Sequence, residues 1–276
     1  MTKNEESTAA LNRIADALDR LAPPHLDAGD LLTHPGYAWD GSRLIAQEEI
    51  ASLPLGLLAG IDRQRDVIAE NIARHAKGAA AHDMLLWGAR GMGKSALVRS
   101  SVAAMQARGL DIGLVQAGGE ALSSLPTLFA RLASVERRFV VFLDDLGFDE
   151  DGPARQLRSL LDGGVMARAA SIRIAATSNH RAVVARHHGE QPDPLAPKDA
   201  LHDRLALADR FGLSVGFHEC DQENYLAIVT AYAEYFGLDH DPAEALEWSR
   251  RRGGRSGRVA HQFIVEIAGR EGRSLN

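Results

Sequence analysis

Eight consecutive residues, Gly88 to Ser95, have the spacing of a phosphate-binding loop. They read GARGMGKS and match the pattern G-x-x-x-x-G-K-[ST] in full. Glycines let the backbone curl so that successive N–H groups point at phosphate oxygens, and a following helix adds partial positive charge. Lys94 would then reach the β- and γ-phosphates of ATP, and the Ser95 hydroxyl would ligate Mg²⁺. The residues expected to contact the nucleotide here are Gly88, Gly91, Met92, Gly93, Lys94, Ser95 and Ala96.

Two carboxylates follow a strongly apolar run further along the chain. The run FVVFL at 139–143 leads directly into Asp144 and Asp145. A buried strand that ends in two acids beside a phosphate-binding loop is where a second Mg²⁺ contact belongs. We expect Asp144 to hold the metal through water, and Asp145 to orient or deprotonate the attacking water. Without the preceding loop, such acids would more often be solvated residues at a strand end.

A third apolar run ends in small polar residues. It occupies residues 172–176 and leads through a threonine and a serine to Asn179. If this strand lies between the two strands above, the Asn179 amide could hydrogen-bond the attacking water or the γ-phosphate. Taken alone, an asparagine after a strand is usually a turn residue. The prediction therefore depends on the order and spacing of all three segments.

Helices and strands must alternate from residue 58 onward to bring these segments together. Five apolar runs predict strands, at residues 82–87, 112–115, 139–143, 172–176 and 213–217. Helical patterns at residues 61–76 and 94–107 follow the rule of apolar side chains three and four positions apart. Continuous apolar strands between helices are typical of a parallel sheet covered on both faces. We predict an α/β domain over residues 58–218 with a parallel five-stranded sheet.

The two ends of the chain have different patterns. Beyond residue 219, three helices are predicted at 222–236, 242–251 and 256–269, which form a small helical domain over residues 219–276. At the other end, residues 7–21 place leucines, an isoleucine and an alanine on one helical face, and two prolines then end that helix. Proline and glycine punctuate the residues that follow. We therefore predict an amphipathic helix and an irregular extension over residues 1–57.

Composition and charge exclude some kinds of site and indicate the expected location and partners of the protein. The net charge is −6, and the single cysteine, Cys220, excludes a disulfide framework or a cysteine metal site. No run of eighteen apolar residues and no basic, apolar leader is present, so we expect a cytoplasmic protein with no membrane partner. The negative charge does not favour nucleic acid as a partner, although a basic cluster at residues 250–258 leaves that role open.

Taken in order, the motifs resemble those of AAA+ ATPases. They are the glycine loop, the Asp144–Asp145 pair, ATSN at 176–179, DRFG at 209–212 and GRSGR at 254–258. Together with GIDRQ at 60–64, they more narrowly resemble a bacterial group of AAA+ proteins, known mainly as ATP-binding proteins of unknown function. The similarity covers about residues 35–270. As a set the motifs are specific, whereas only the glycine loop is specific alone.

The resemblance implies further roles. Asn179 matches the position called sensor 1, and Arg258 matches sensor 2, by which a helical lid senses the nucleotide. Arg210 matches the arginine finger that reaches the γ-phosphate of a neighbouring subunit in a homo-oligomer. The segment with Gly60 and Ile61 matches the one that flanks adenine. The implied cofactors are ATP and Mg²⁺, and the implied partner is a protein client that the motifs do not identify.

The sequence departs from the AAA+ pattern at one residue that bears on the rate of ATP hydrolysis. Many AAA+ motors have glutamate as the second acid, whereas this chain has Asp145, whose shorter side chain holds its carboxylate farther from the water unless the backbone compensates. An ATPase that remodels a partner and a slow, nucleotide-dependent switch are both compatible with that acid. A small-molecule kinase of the same phosphate-loop class and a DNA-associated role are weaker alternatives.

Overall fold

Seven strands form one sheet in the described part of the chain. The computed structural model describes residues 30–146, 157–161, 168–179 and 209–275, and the predicted helix at residues 7–21 lies outside them. The strands are β1 (Gly36–Trp39), β2 (Leu44–Gln47), β3 (Met84–Gly88), β4 (Ile112–Ala117), β5 (Arg138–Leu143), β6 (Ile172–Ser178) and β7 (Leu213–Phe217). Their order is β2-β1-β4-β5-β6-β3-β7, and every neighbouring pair is parallel except β1 with β2. This confirms the predicted α/β class.

The sheet has seven strands rather than the predicted five. The two additional strands, β1 and β2, come from the segment that we predicted to be irregular. Each is only four residues long, so its apolar pattern is too short to be distinguished from a loop. The pairing that defines β1 is non-local, because Gly36 lies opposite Leu114 of β4. The buried rings of Tyr37 and Trp39 then attach this strand to the core.

Helices cover the sheet on both faces. They are α1 (Asp62–Ala76), α2 (Lys94–Ala107), α3 (Leu125–Leu132), α4 (Gln222–Phe236), α5 (Pro242–Arg251) and α6 (Gly257–Arg270), with residues 157–161 also helical. Alternate residues of β5 enter two separate cores: Val140 and Phe142 pack with α1 and α2, whereas Val141 packs with α3. This alternation explains why the central strands are continuously apolar.

The three C-terminal helices, α4 to α6, lie where the sequence predicted helices and are called the helical unit below. Side chains cap their N-termini, since Asp221 accepts from Asn224 N at 2.8 Å and Ser256 accepts from Val259 N at 3.2 Å. Gly237 ends α4 in the left-handed conformation, with φ of 62°. Buried side chains of α4 and α6 continue into the core that contains α1 and α2, so this unit packs against the sheet domain.

A buried arginine attaches the N-terminal strands to the rest of the sheet. Arg137 Nη1 donates to Leu31 O and His34 O, both at 2.8 Å, and to the Tyr37 hydroxyl at 3.2 Å. Its Nε donates to Asp111 Oδ1 at 2.8 Å. The arginine side chain is 6% exposed, whereas that of Asp111 is 62% exposed. The backbone carbonyls, rather than the acid, therefore carry most of the stabilisation.

Replacing Arg137 with methionine should lower the free energy of unfolding by about 3 kcal/mol, because buried carbonyl oxygens lose their donors. Asp111→Asn is the matched control and should cost about 0.5 kcal/mol, since its ion pair is largely solvated. Urea denaturation followed by circular dichroism measures both. Equal losses in the two variants would contradict the proposed role of the backbone contacts.

Candidate nucleotide-binding site

The glycine loop connects β3 to α2 and needs glycine at particular positions. Gly88 has φ of +115°, and a Cβ there would lie 2.1 Å from Phe217 O of the neighbouring strand. Gly91 has φ of +78°, and a Cβ there would lie 2.8 Å from Ser256 Oγ. A side chain at either position would therefore require the backbone to move. The loop adopts the strand–loop–helix context that its sequence pattern requires.

Lys94 lies at the first turn of α2 and folds back over the loop. Its Nζ donates to Gly88 O and Ala89 O, both at 2.8 Å, and to Asn179 Oδ1 at 3.0 Å. Burial lowers the pKa of Lys94 to about 8, although Asp145 and Asp144 act in the opposite direction. An anionic group beside Nζ would offset that desolvation. The arrangement therefore suits phosphate oxygens.

The two predicted metal ligands lie in direct contact. Ser95 Oγ donates to Asp144 Oδ1 at 2.6 Å, and Thr177 Oγ1 donates to the same carboxylate oxygen at 2.7 Å. A hydroxyl and a carboxylate are hard oxygen ligands of the kind that Mg²⁺ prefers, and Mg²⁺ keeps several of its waters in such sites. The donor set at Ser95 and Asp144 thus fits Mg²⁺.

The second acid meets the predicted sensor asparagine. Asn179 Nδ2 donates to Asp145 Oδ1, so the asparagine bridges Asp145 and Lys94 through the two ends of its amide. The Asp145 backbone N–H donates to Thr177 Oγ1 at 2.8 Å. Side chains from the glycine loop, the end of β5 and the end of β6 therefore form one hydrogen-bonded network. We predicted this convergence for Asp144, Asp145 and Asn179, but we assigned no role to Thr177.

A cavity of about 740 Å³ extends from the loop to the helical unit. Its walls include most of the predicted site residues, namely Ile61, Gly91, Met92, Gly93, Lys94, Ser95, Ala96, Asp144, Asp145, Asn179 and Arg258. Gly60 and Gly88 do not line the cavity, and each has a backbone conformation that favours glycine. Gly60 has φ of +76°, and a Cβ there would be 3.6 Å from Asn224 and from Ile228.

The cavity is also lined by residues of the helical unit that we did not predict as site residues, among them Ile228, Tyr232 and His261. Ile228 and Tyr232 lie one turn apart on α4, and His261 lies on α6 with its ring 5.5 Å from that of Tyr232. Tyr232 also packs in the core, with one surface on the cavity. Burial lowers the pKa of His261, which favours the neutral ring. The four-residue spacing of Ile228 and Tyr232 was the sequence signal that the two side chains share one face of the helix.

The first turn of α6 lies directly on the glycine loop. Arg258 N donates to Gly91 O at 3.1 Å, and a Cβ on Gly257 would lie 3.2 Å from that same oxygen. The Arg258 side chain is exposed and lines the cavity. Its charge, with that of Arg90, is near enough to Lys94 to lower the pKa of that lysine. The helical unit thus places a cation at the end of the cavity that the glycine loop lines.

Arg210 lies at the opposite end of the sheet from the glycine loop. It precedes the first residue of β7, Leu213, and β7 runs parallel to β3, whose last residue begins the loop. A strand of five residues is about 16 Å long, which exceeds the reach of an arginine side chain. Arg210 is exposed and is not among the described residues that line the cavity.

Together, the sheet order, the glycine loop and the helical unit define an AAA+ P-loop fold. Aeropyrum pernix Orc1, solved in complex with DNA, is similar, with a TM-score of 0.55 and 16% identity over 79% of this chain and 65% of that chain. A variant of Thermotoga maritima RuvB gives a TM-score of 0.52 and 17% identity over 80% of this chain and 66% of that chain. The chain thus spans just under two thirds of these proteins.

The chain belongs to the family described as "Protein of unknown function (DUF815)", whose sequence model matches residues 33–271. This agrees with the resemblance to ATP-binding AAA+ proteins of unknown function. No curated relative is similar enough in sequence to be matched to the chain. Within the described residues, no helix has the length and apolar character needed to cross a membrane.

Proposed function

We propose that this chain binds Mg-ATP in the cavity between the glycine loop and the helical unit. The observation that carries the proposal is the single network that joins, with Thr177 as the link, Lys94, Ser95, Asp144, Asp145 and Asn179. These residues come from three separate segments, and all of them line the cavity. The apolar wall that includes Ile61 and Ile228 would then receive the base.

We also propose that the bound nucleotide is hydrolysed. The Asp145 carboxylate would accept a hydrogen bond or a proton from the attacking water, and the Asn179 amide would hold that water in place. Lys94 and Arg258 would balance negative charge on the γ-phosphate as it is transferred. The divalent cation held by Ser95 and Asp144 would neutralise further phosphate charge.

The position of Arg210 supports action on a neighbouring subunit. Arg210 cannot reach the cavity of its own chain. If it contributes to hydrolysis, it must therefore act on the cavity of an adjacent subunit. We propose a homo-oligomer in which Arg210 completes the site of the adjacent chain, and in which ATP turnover remodels a protein client. The similar Orc1 was solved with DNA, but the net charge of −6 favours a protein as the client here.

A slow switch is the second candidate, and Asp145 in place of glutamate is the observation that favours it. In a switch, ATP binding itself would recruit the partner and hydrolysis would reset the state. Turnover of many ATP per second with a partner present would contradict the switch. We propose that residues 219–276 form a lid domain and that the ATPase domain begins before β1 rather than at residue 58, because β1 and β2 belong to its sheet.

An Asp145→Asn variant tests the proposed hydrolysis. It should bind Mg-ATP with an affinity close to that of the wild type and hydrolyse it about 100-fold more slowly, because the amide cannot accept a proton. Asp111→Asn, an exposed acid far along the sequence from the site, serves as the control and should retain full turnover. Affinity capture with ATP-loaded Asp145→Asn would then retain the client. Wild-type turnover in this variant would contradict the role of Asp145.

A further inference from the structure

Asp145 has a backbone conformation that a residue with a side chain rarely adopts. Its φ is +53°, and among the described residues it is the one non-glycine residue with positive φ. Aspartate tolerates the left-handed region better than most residues, but the conformation still carries an energetic cost. Such strain persists where surrounding contacts fix it, and it is concentrated at functional sites. Some neighbouring group must therefore hold Asp145 in place.

Thr177 makes the contacts that fix this segment. Its Oγ1 accepts from Asp145 N at 2.8 Å and donates to Asp144 Oδ1 at 2.7 Å. Its backbone oxygen accepts from Leu146 N at 2.9 Å. Thr177 thus contacts three successive residues that follow β5. Its side chain is nearly completely buried, so water does not compete for these bonds.

The hydroxyl of Thr177 has a fixed orientation because it donates one hydrogen bond and accepts another. Its proton is directed at Asp144 Oδ1, and a lone pair receives the Asp145 N–H. A β-branched side chain in a strand also has few χ1 rotamers, which further limits movement of Oγ1. The two acids are consequently held in one mutual arrangement by a single oxygen atom.

We propose that Thr177 is a positioning residue that allows aspartate to act where many AAA+ motors use glutamate. By holding the left-handed backbone at Asp145, it directs the shorter carboxylate to the Asn179 amide, beside Lys94. The backbone thus compensates for the missing methylene group. This inference rests on the proposed ATP hydrolysis and adds the reason why Asp145 can carry it out.

Thr177→Val tests the proposal, because valine keeps the shape of threonine and removes the hydroxyl. We expect kcat for ATP hydrolysis to fall about 10- to 100-fold, the effect of losing hydrogen bonds to a charged group and its backbone. The KM for Mg-ATP should stay within about threefold of wild type, because Lys94 and the loop are untouched. A variant that merely loosened the fold would instead raise KM and lower the thermal midpoint together.

Thr177→Ser and Thr177→Ala are a second pair of variants that differ from each other only in the hydroxyl. They test the role of the hydroxyl even if the valine variant does not fold. Serine should keep kcat within about threefold of wild type, and alanine should lose as much as valine. Equal kcat in the serine and alanine variants, or wild-type kcat in Thr177→Val, would overturn the role of Thr177. A wild-type protein that does not hydrolyse ATP would instead contradict the proposed function itself.

Discussion

Lys94→Met should raise the Kd for Mg-ATP by 100-fold or more. The ammonium group is expected to contact two phosphates, and each charge-assisted hydrogen bond contributes about 1.5–3 kcal/mol. Methionine keeps the length of the side chain and removes only the charge and its donors. Isothermal titration calorimetry with ATP and Mg²⁺ measures the change. Lys77→Met, at an exposed lysine after α1, is the matched control and should bind as the wild type does.

The same substitution should not unfold the protein. Burial lowers the pKa of Lys94 to about 8, so keeping this lysine charged without an anionic partner such as phosphate costs folding free energy at neutral pH. The thermal midpoint of Lys94→Met should therefore stay close to that of the wild type, because removal of the buried charge offsets the loss of the donor to Gly88 O and Ala89 O. ATP binding by Lys94→Met at wild-type affinity would contradict the proposal that the phosphates of ATP lie beside Lys94 and the glycine loop.

Arg210→Ala should lower ATP turnover about 1,000-fold, as the loss of an arginine finger does in other phosphate-loop enzymes. The Kd for Mg-ATP should change little, because Arg210 does not line the cavity of its own chain. Steady-state phosphate release and calorimetry on the same preparation separate the two effects. Unchanged turnover per subunit in this variant would remove the proposed mechanism at the subunit interface.

Mixing two inactive variants tests the interface directly. A chain with Arg210→Ala keeps its own Asp145, and a neighbour with Asp145→Asn keeps its Arg210, so a mixed oligomer contains complete sites. Turnover should reappear in the mixture and rise with protein concentration. A mixture as inactive as its two components, in preparations shown to form mixed oligomers, would contradict action across the interface.

The glycine loop was predictable because its signal is local. Gly88 to Ser95 determine the loop conformation within eight residues, and α2 begins and ends where the helical pattern predicted. Asp144, Asp145 and Asn179 were predictable for a different reason. The carboxyl ends of neighbouring parallel strands meet at one edge of a sheet, so these residues converge if the strand of Asn179 lies between the other two, which it does.

Other features depend on contacts between distant parts of the chain, which a single sequence does not display. Strand β1 forms through pairing with β4 and through the buried guanidinium of Arg137, about 100 residues further along, and β2 then pairs with β1. The left-handed backbone of Asp145 depends on a hydroxyl 32 residues away. The cavity contacts of His261 depend on how α6 lies on the glycine loop.

Release of labelled phosphate from γ-labelled ATP by the wild-type chain tests the central claim most directly. With Mg²⁺ present, the label should appear as free phosphate, and chelation of the metal with EDTA should stop the release, because Ser95 and Asp144 would hold the cation. Label transferred to another molecule would indicate a kinase instead. No release of label, at protein concentrations that permit assembly, would contradict the proposal that this chain hydrolyses Mg-ATP, and no bound ATP would contradict the proposed site itself.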